Sequence, residues 1–150
     1  GEIIMSPAPS TAHQRILRTI FNQLVNHLNK NNIGEVLCAP LDVYFDGENA
    51  YEPDILYISK ERIAIIKEDG IHGAPDLIIE ILSPSNSYHD LKTKKKVYEK
   101  HGVKEYWIID PYDGEVIGFE NDNNSFKEFF RGSGEFKIKL LNLKVKFAFL

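Results

Sequence analysis

APDLIIEILSPS, residues 74–85, is the stretch whose reading decides the fold. It reads as a strand built for the interior, yet it carries a carboxylate, Glu80, between Ile79 and Ile81. A buried, unpaired carboxylate costs several kcal/mol, so such groups are normally paired, metal-bound or functional. The partner of Glu80 is the question that organises the rest of the chain.

On either side of this strand the pattern is clear. Ser10 can cap a helix running to about Asn31, in which Ile16, Leu17, Ile20, Phe21, Leu24, Val25 and Leu28 recur at helical spacing, with Gly34 as its stop. EVLCAPLDVYFD and AYEPDILYIS then read as two strands joined by the turn residues Asp46, Gly47, Glu48 and Asn49. A looser stretch, KERIAIIKEDGIHG, leads into PDLIIEILS, the third strand. SPSNS is a loop and helix start, YHDLKTKKKVYEKH a second helix ended by Gly102, and VKEYWIIDP a fourth strand. Asp113-Gly114 suits a hairpin turn, and further strands follow around VIGFE, FKEFF, FKIKL and KVKFAFL. The first three strands can form a meander, and the second helix can cross back so that the fourth joins them. The expectation is one domain over residues 1–150, of α/β or α+β class, with a mixed sheet flanked by helices and extra C-terminal strands.

Composition narrows the function. At 43% hydrophobic and 27% charged, the 150 residues suit an ordinary globular chain rather than a disordered one. The apolar runs are far too short for a membrane span, and no charged-then-apolar signal opens the chain. The single cysteine, Cys38, excludes an intrachain disulfide and suits a cytoplasmic setting. Asn123-Asn124-Ser125 matches a glycosylation sequon and reads as a polar turn. The chain opens at Gly1 without an initiator methionine, so a natural N-terminal segment is expected to be missing ahead of it. A net charge of −4 argues against a large electrostatic footprint on nucleic acid, although a metal and a local basic helix can supply the cations a nuclease needs.

Two strands carry nearly the same phrase: EPDILYI with Asp54, and APDLIIEIL with Asp76 and Glu80. Asp76 and Glu80 share a face but lie about 13 Å apart along a strand, too far for one ion. Asp54, near the start of its strand, meets Glu80, near the end of the next, if the two pair antiparallel. Two such carboxylates repel unless one takes a proton or a cation sits between them. Oxygen ligands alone suit Mg²⁺ or Mn²⁺. The plainer account has both acids facing solvent or meeting a lysine.

On the second helix, Leu91, Val97 and Tyr98 mark the inward stripe, with Lys94 in its middle and Lys95 at its border. Lys92, Lys96 and Lys100 point elsewhere, as a solvated basic face able to steer a nucleic-acid backbone. An inward Lys94 needs an anion, unless it snorkels past Tyr98 to solvent. Two acids, a metal and a lysine suit phosphodiester hydrolysis: the metal acidifies a water, and the lysine orients or deprotonates it or neutralises the phosphate.

These residues carry a resemblance. EPDILYI, GAPDLIIEILSPS, the spacing of Asp90, Lys94 and Tyr98, HGVKEYWIIDP and MSPAPSTAHQ are similar to the recurring phrases of the bacterial Uma-two family. That family is described as endonucleases within the PD-(D/E)XK, or restriction-endonuclease-like, superfamily, and the likeness runs to about Phe119. It implies a restriction-endonuclease-like core and a Mg²⁺-dependent endonuclease acting on nucleic acid, with DNA as the expected substrate. Asp54 and Glu80 become the metal-binding acids. The superfamily pattern expects a lysine two residues after the second acid, where this chain has Leu82, so the resemblance moves that role to Lys94. Asp76 is then an accessory acid or a cap for local amides, and His13, inside a family phrase, is otherwise a surface histidine.

Other signals are weak. No HExxH or other zinc spacing occurs, Gly132-Ser133-Gly134 is no phosphate loop, and Tyr106 and Trp107 read as core. The competing account is a catalytically inactive module that keeps the nuclease fold for nucleic-acid binding or protein assembly. The apolar tail ending FAFL suggests a covered sheet edge or a homodimer interface.

Overall fold

A computed structural model describes residues 8–46, 49–84 and 88–149. Residues 1–7, Gly47 and Glu48 of the first turn, and Ser85, Asn86 and Ser87 ahead of the second helix lie outside the described residues.

Helix α1 (Thr11–Lys30) is followed by β1 (Gly34–Cys38), β2 (Val43–Tyr44), β3 (Ala50–Tyr51) and β4 (Ile55–Ser59). A 3-10 helix (Lys60–Ile65) leads to β5 (Ile66–Lys67), β6 (Gly70–His72) and β7 (Leu77–Ile81). Then come α2 (Tyr88–Lys100), β8 (Glu105–Ile109), β9 (Glu115–Asn121), β10 (Phe126–Ser133), β11 (Glu135–Ile138) and β12 (Leu143–Lys146).

The main sheet has the order β1-β4-β7-β8-β9-β10. The β1–β4–β7 part is the expected antiparallel meander. α2 then crosses over so that β8 lies parallel to β7, which makes the sheet mixed. β7 is buried along its whole length, as a strand covered on both faces should be. Its alternation divides the core. Leu77, Ile79 and Ile81 join Ile16, Ile20 and Leu24 of α1, while Ile78 packs with Tyr98 of α2 and Tyr106 of β8.

Helix ends follow local chemistry. The Ser10 hydroxyl accepts the His13 N–H at the start of α1. α2 closes on Gly102 at φ +87°, with the Val103 N–H returning to Tyr98 O and the Gly102 N–H to Glu99 O, the pairing of a Schellman stop. Gly34 is a correction. α1 ends at Lys30, where the Asn31 N–H returns to His27 O, and Gly34 instead opens β1. A Cβ at Gly34 would run into the Ile58 carbonyl, so close strand approach is what requires glycine there.

A second correction concerns the two long strands. Each is broken in the middle. Cys38 pairs with Ile55, so two steps further along, Pro40 faces Pro53. Neither proline can donate to a ladder, and pairing lapses where they meet. The tip of the hairpin, β2 with β3, leaves the main sheet and joins β6 and β5 in a smaller sheet of order β3-β2-β6-β5. The stretch expected to be loose is therefore a 3-10 helix and two short strands. Period-two alternation continues through both prolines, which is why the pattern alone does not show the break.

Asp113-Gly114 does turn the chain between β8 and β9, with Gly114 at φ +74°. Asn123 and Asn124, both at positive φ, form the turn between β9 and β10. The tail pairs β11 with β12 and packs Phe136, Ile138, Val145 and Phe147 against α1 and Trp107. Phe136, Ile138, Val145 and Phe147 are thus part of the chain's own core, while Leu140 and Phe149 of the tail stay exposed. No helix among the described residues is long and apolar enough to cross a membrane.

Candidate active site

The break at Pro53 leaves Asp54 just ahead of β4, its carbonyl still accepting the Ala39 N–H at 2.9 Å and its side chain held in the register of β4. Ile55 pairs with Ile79, so the next step outward sets Asp54 opposite Glu80. Both carboxylates, with Lys94 of α2 and His13 of α1, line one open cavity of about 380 Å³.

Asp54 is held at both oxygens. Oδ2 accepts the Ile81 N–H at 2.8 Å, and Oδ1 lies 3.0 Å from His13 Nε2. The His13 ring is only 3% exposed, so it is not the surface histidine of the plainer reading. An ionised carboxylate only accepts, so a neutral ring carries its proton on Nε2. Nδ1 then keeps a lone pair, buried and without a hydrogen-bond partner among the described residues.

Glu80 is 4% exposed and faces α2. Tyr98 donates to Oε1 at 2.8 Å and Tyr106 to Oε2 at 3.2 Å. Burial pushes the Glu80 carboxyl above its ordinary range and Asp54 adds to this, against Lys94 and the two hydroxyls, which pull it down. Burial and the neighbouring Glu80 hold both tyrosine hydroxyls well above their usual range, so they stay donors.

Lys94 Nζ lies 3.9 Å from Glu80 Oε1 and 3.4 Å from Asp90 Oδ2, one helical turn away. Burial pulls its pKa down, but Glu80, Asp90 and Asp54 outweigh that and raise it, so the amine stays charged. Leu82, at the superfamily's lysine position, only continues the backbone pairing to Ile109.

Asp76 does not join this group. It is 1% exposed at the other end of β7, where Oδ2 accepts the Ser59 N–H and lies 3.3 Å from Arg62, while Oδ1 lies 2.9 Å from Lys104. Of its two readings, the geometry matches the amide cap. Tyr106, expected only as core, adds a hydroxyl to Glu80 that no spacing reveals, because its contact depends on β7 and β8 being neighbours. Trp107 is core as expected, its indole bonded to the buried Glu105.

The family model described as "Putative restriction endonuclease", Uma2, matches residues 1–142. The chain belongs to the Uma2 family. A solved structure from Anabaena variabilis ATCC 29413, titled as "a putative nuclease belonging to DUF820", is similar to it with a TM-score of 0.74 and 24% identity. The match covers 97% of this chain and 83% of that one, and it shows that the two share a fold. No curated protein matches. In this Uma2 chain, the cavity is where the acid ahead of β4, the acid of β7 and the amine of α2 come together.

Proposed function

We propose that the protein is a metal-dependent endonuclease that hydrolyses phosphodiester bonds of nucleic acid, with DNA as the substrate. Membership of a family described as restriction endonucleases supports the substrate class. The observation that carries the reading is the cross-strand register that sets Asp54 opposite Glu80 on a cavity shared with Lys94.

The donor set fits a hard divalent cation. Among the described residues, Asp54 Oδ1, Asp54 Oδ2 and Glu80 Oε2 each have one protein partner and Glu80 Oε1 has Tyr98 with Lys94 at 3.9 Å, which leaves lone-pair capacity on both carboxylates. Among the described residues no three His, Cys, Asp or Glu side chains form a cluster of ligands. Two carboxylates with waters and substrate phosphate filling the remaining positions are how Mg²⁺ is commonly held, and Mn²⁺ takes similar ligands. Such a cation, when bound, supplies a more acidic water and charge stabilisation at the phosphate.

The chain's own residues do the rest. His13 and the Ile81 amide fix the Asp54 carboxylate, and the two tyrosines fix that of Glu80. Lys94, kept charged by its three acidic neighbours, is placed to neutralise charge growing on the phosphate rather than to accept a proton from water. Its position on α2 supplies the amine that Leu82 lacks.

The test is supercoiled plasmid nicking in Mg²⁺ with purified wild type and Glu80→Gln, both checked for folding by circular dichroism. We expect the variant to lose more than about 100-fold in rate, the order seen when a group stabilising transition-state charge is removed. Equal rates would end the proposal. A wild type that binds Mn²⁺ and DNA without cutting would favour the inactive binding module.

A further inference from the structure

A polyanion approaching this cavity meets Glu52, Asp54 and Glu80 on its wall, in a chain of net charge −4. Cations along the approach have to offset that repulsion. On α1, Arg15 and Arg18 are both exposed, and neither guanidinium has an ion-pair or hydrogen-bond partner among the described residues.

Their place on the helix is specific. At about 100° per residue, Gln14 and Leu17 fall on the flank that lines the acidic cavity. Ala12, Ile16 and Thr19 fall on the other flank, which lines a second groove of about 290 Å³. Arg15 and Arg18 stand on the ridge between the two and also reach into that groove. Its far wall includes Phe149, 45% exposed. A helix with its side chains is about 10–12 Å across. A strand that crosses it therefore sets more than one phosphate over the ridge. Arginine forks match phosphate oxygens, and an arginine pair beside an exposed aromatic ring is the combination that holds single-stranded nucleic acid.

We propose that Arg15 and Arg18 hold the phosphate backbone of one nucleic-acid strand as it crosses α1 from the acidic cavity, and that Phe149 stacks on a base in the groove beyond. This rests on the endonuclease reading and adds the path of the substrate strand to it.

The test is fluorescence anisotropy with a labelled single-stranded 20-mer over a salt series, in EDTA so that cleavage does not intrude. Wild type is compared with Arg15→Ala/Arg18→Ala, with Phe149→Ala, and with a charge-matched control, Lys127→Ala/Lys137→Ala, on β10 and β11. The arginine pair should lower the salt slope by about 1.4, two phosphate contacts on a single strand, and raise Kd at 0.1 M salt about 10–30-fold. Phe149→Ala should weaken binding at least about fivefold, the low end for a stacking ring, and leave the slope unchanged. An unchanged slope in the arginine pair, or an equal drop in the lysine control, would overturn the path and leave the endonuclease reading standing. A wild type that binds no single-stranded oligonucleotide, in EDTA or in Mg²⁺, would also overturn the path, while plasmid nicking decides the endonuclease reading separately.

Discussion

The two ends of β7 carry buried carboxylates four residues apart, and their surroundings are opposite. Asp76 meets a backbone amide and two full cations. These outweigh its burial and hold its pKa below the ordinary range. Glu80 meets two neutral hydroxyls and one lysine that Asp90 shares, and burial raises its pKa. The first end is electrostatically closed. The second keeps lone pairs and a strained charge beside a cavity. Burial by itself does not distinguish the two carboxylates; the kind of partner does.

That contrast can be broken most strongly at Asp76. Asp76→Ala leaves the Ser59 amide unpaired, while Arg62 and Lys104, 36% and 57% exposed, can return to water. The expected loss is about 2 kcal/mol, read as a fall in Tm of roughly 4–8 °C. The partners that lower the Asp76 pKa add stability above its unfolded value, and acid removes that stability as pH falls through the folded one. The deficit of Asp76→Asn should therefore shrink in acid. An Asp76→Ala protein as stable as wild type but unable to cut would reverse the roles of the two ends.

His13 sharpens the other side of the comparison. His13→Leu removes the donor at Asp54 Oδ1. Mn²⁺ affinity measured by calorimetry should fall about tenfold, and His13→Gln should recover most of it. Equal affinity in wild type and His13→Leu would reduce the histidine to packing.

Tyr106→Phe should be milder, because Tyr98 still donates to Glu80 at the shorter distance. Plasmid cleavage should drop by less than about fivefold, with little change in fold. A loss as large as that of Glu80→Gln would mean that both hydroxyls are needed to aim the carboxylate.

The smallest expected effect is on stability at Glu80 itself, in EDTA. A raised folded pKa favours folding below the unfolded value, and this contribution is lost as pH rises through the folded one. Glu80→Gln should melt higher than wild type at pH 7, with the difference vanishing below about pH 4, near the unfolded glutamate pKa. A variant that melts lower at pH 7 would show that Glu80 is as well compensated as Asp76.

Much of this was legible before any fold. The apolar stripe of α1, its Ser10 cap, the Gly102 stop and the turn at Asp113-Gly114 are local signals, and local geometry obeys them. The β1–β4–β7 meander and the inward placement of Lys94 also followed from period and spacing. The breaks at Pro40 and Pro53 did not, because each proline interrupts pairing through its place opposite the other. The histidine clamp on Asp54 and the second hydroxyl on Glu80 were hidden for a related reason: each joins segments 41 and 26 residues apart.

What the order of residues settled is which segments become helix or strand and which face each buries, since those choices depend on neighbours within a few positions. What only packing decided is the environment of each acid. Asp76 and Glu80 look alike along the chain. One becomes a closed structural pair and the other an open carboxylate because desolvation and charge act through space, between groups that the sheet order and the α2 crossover bring together.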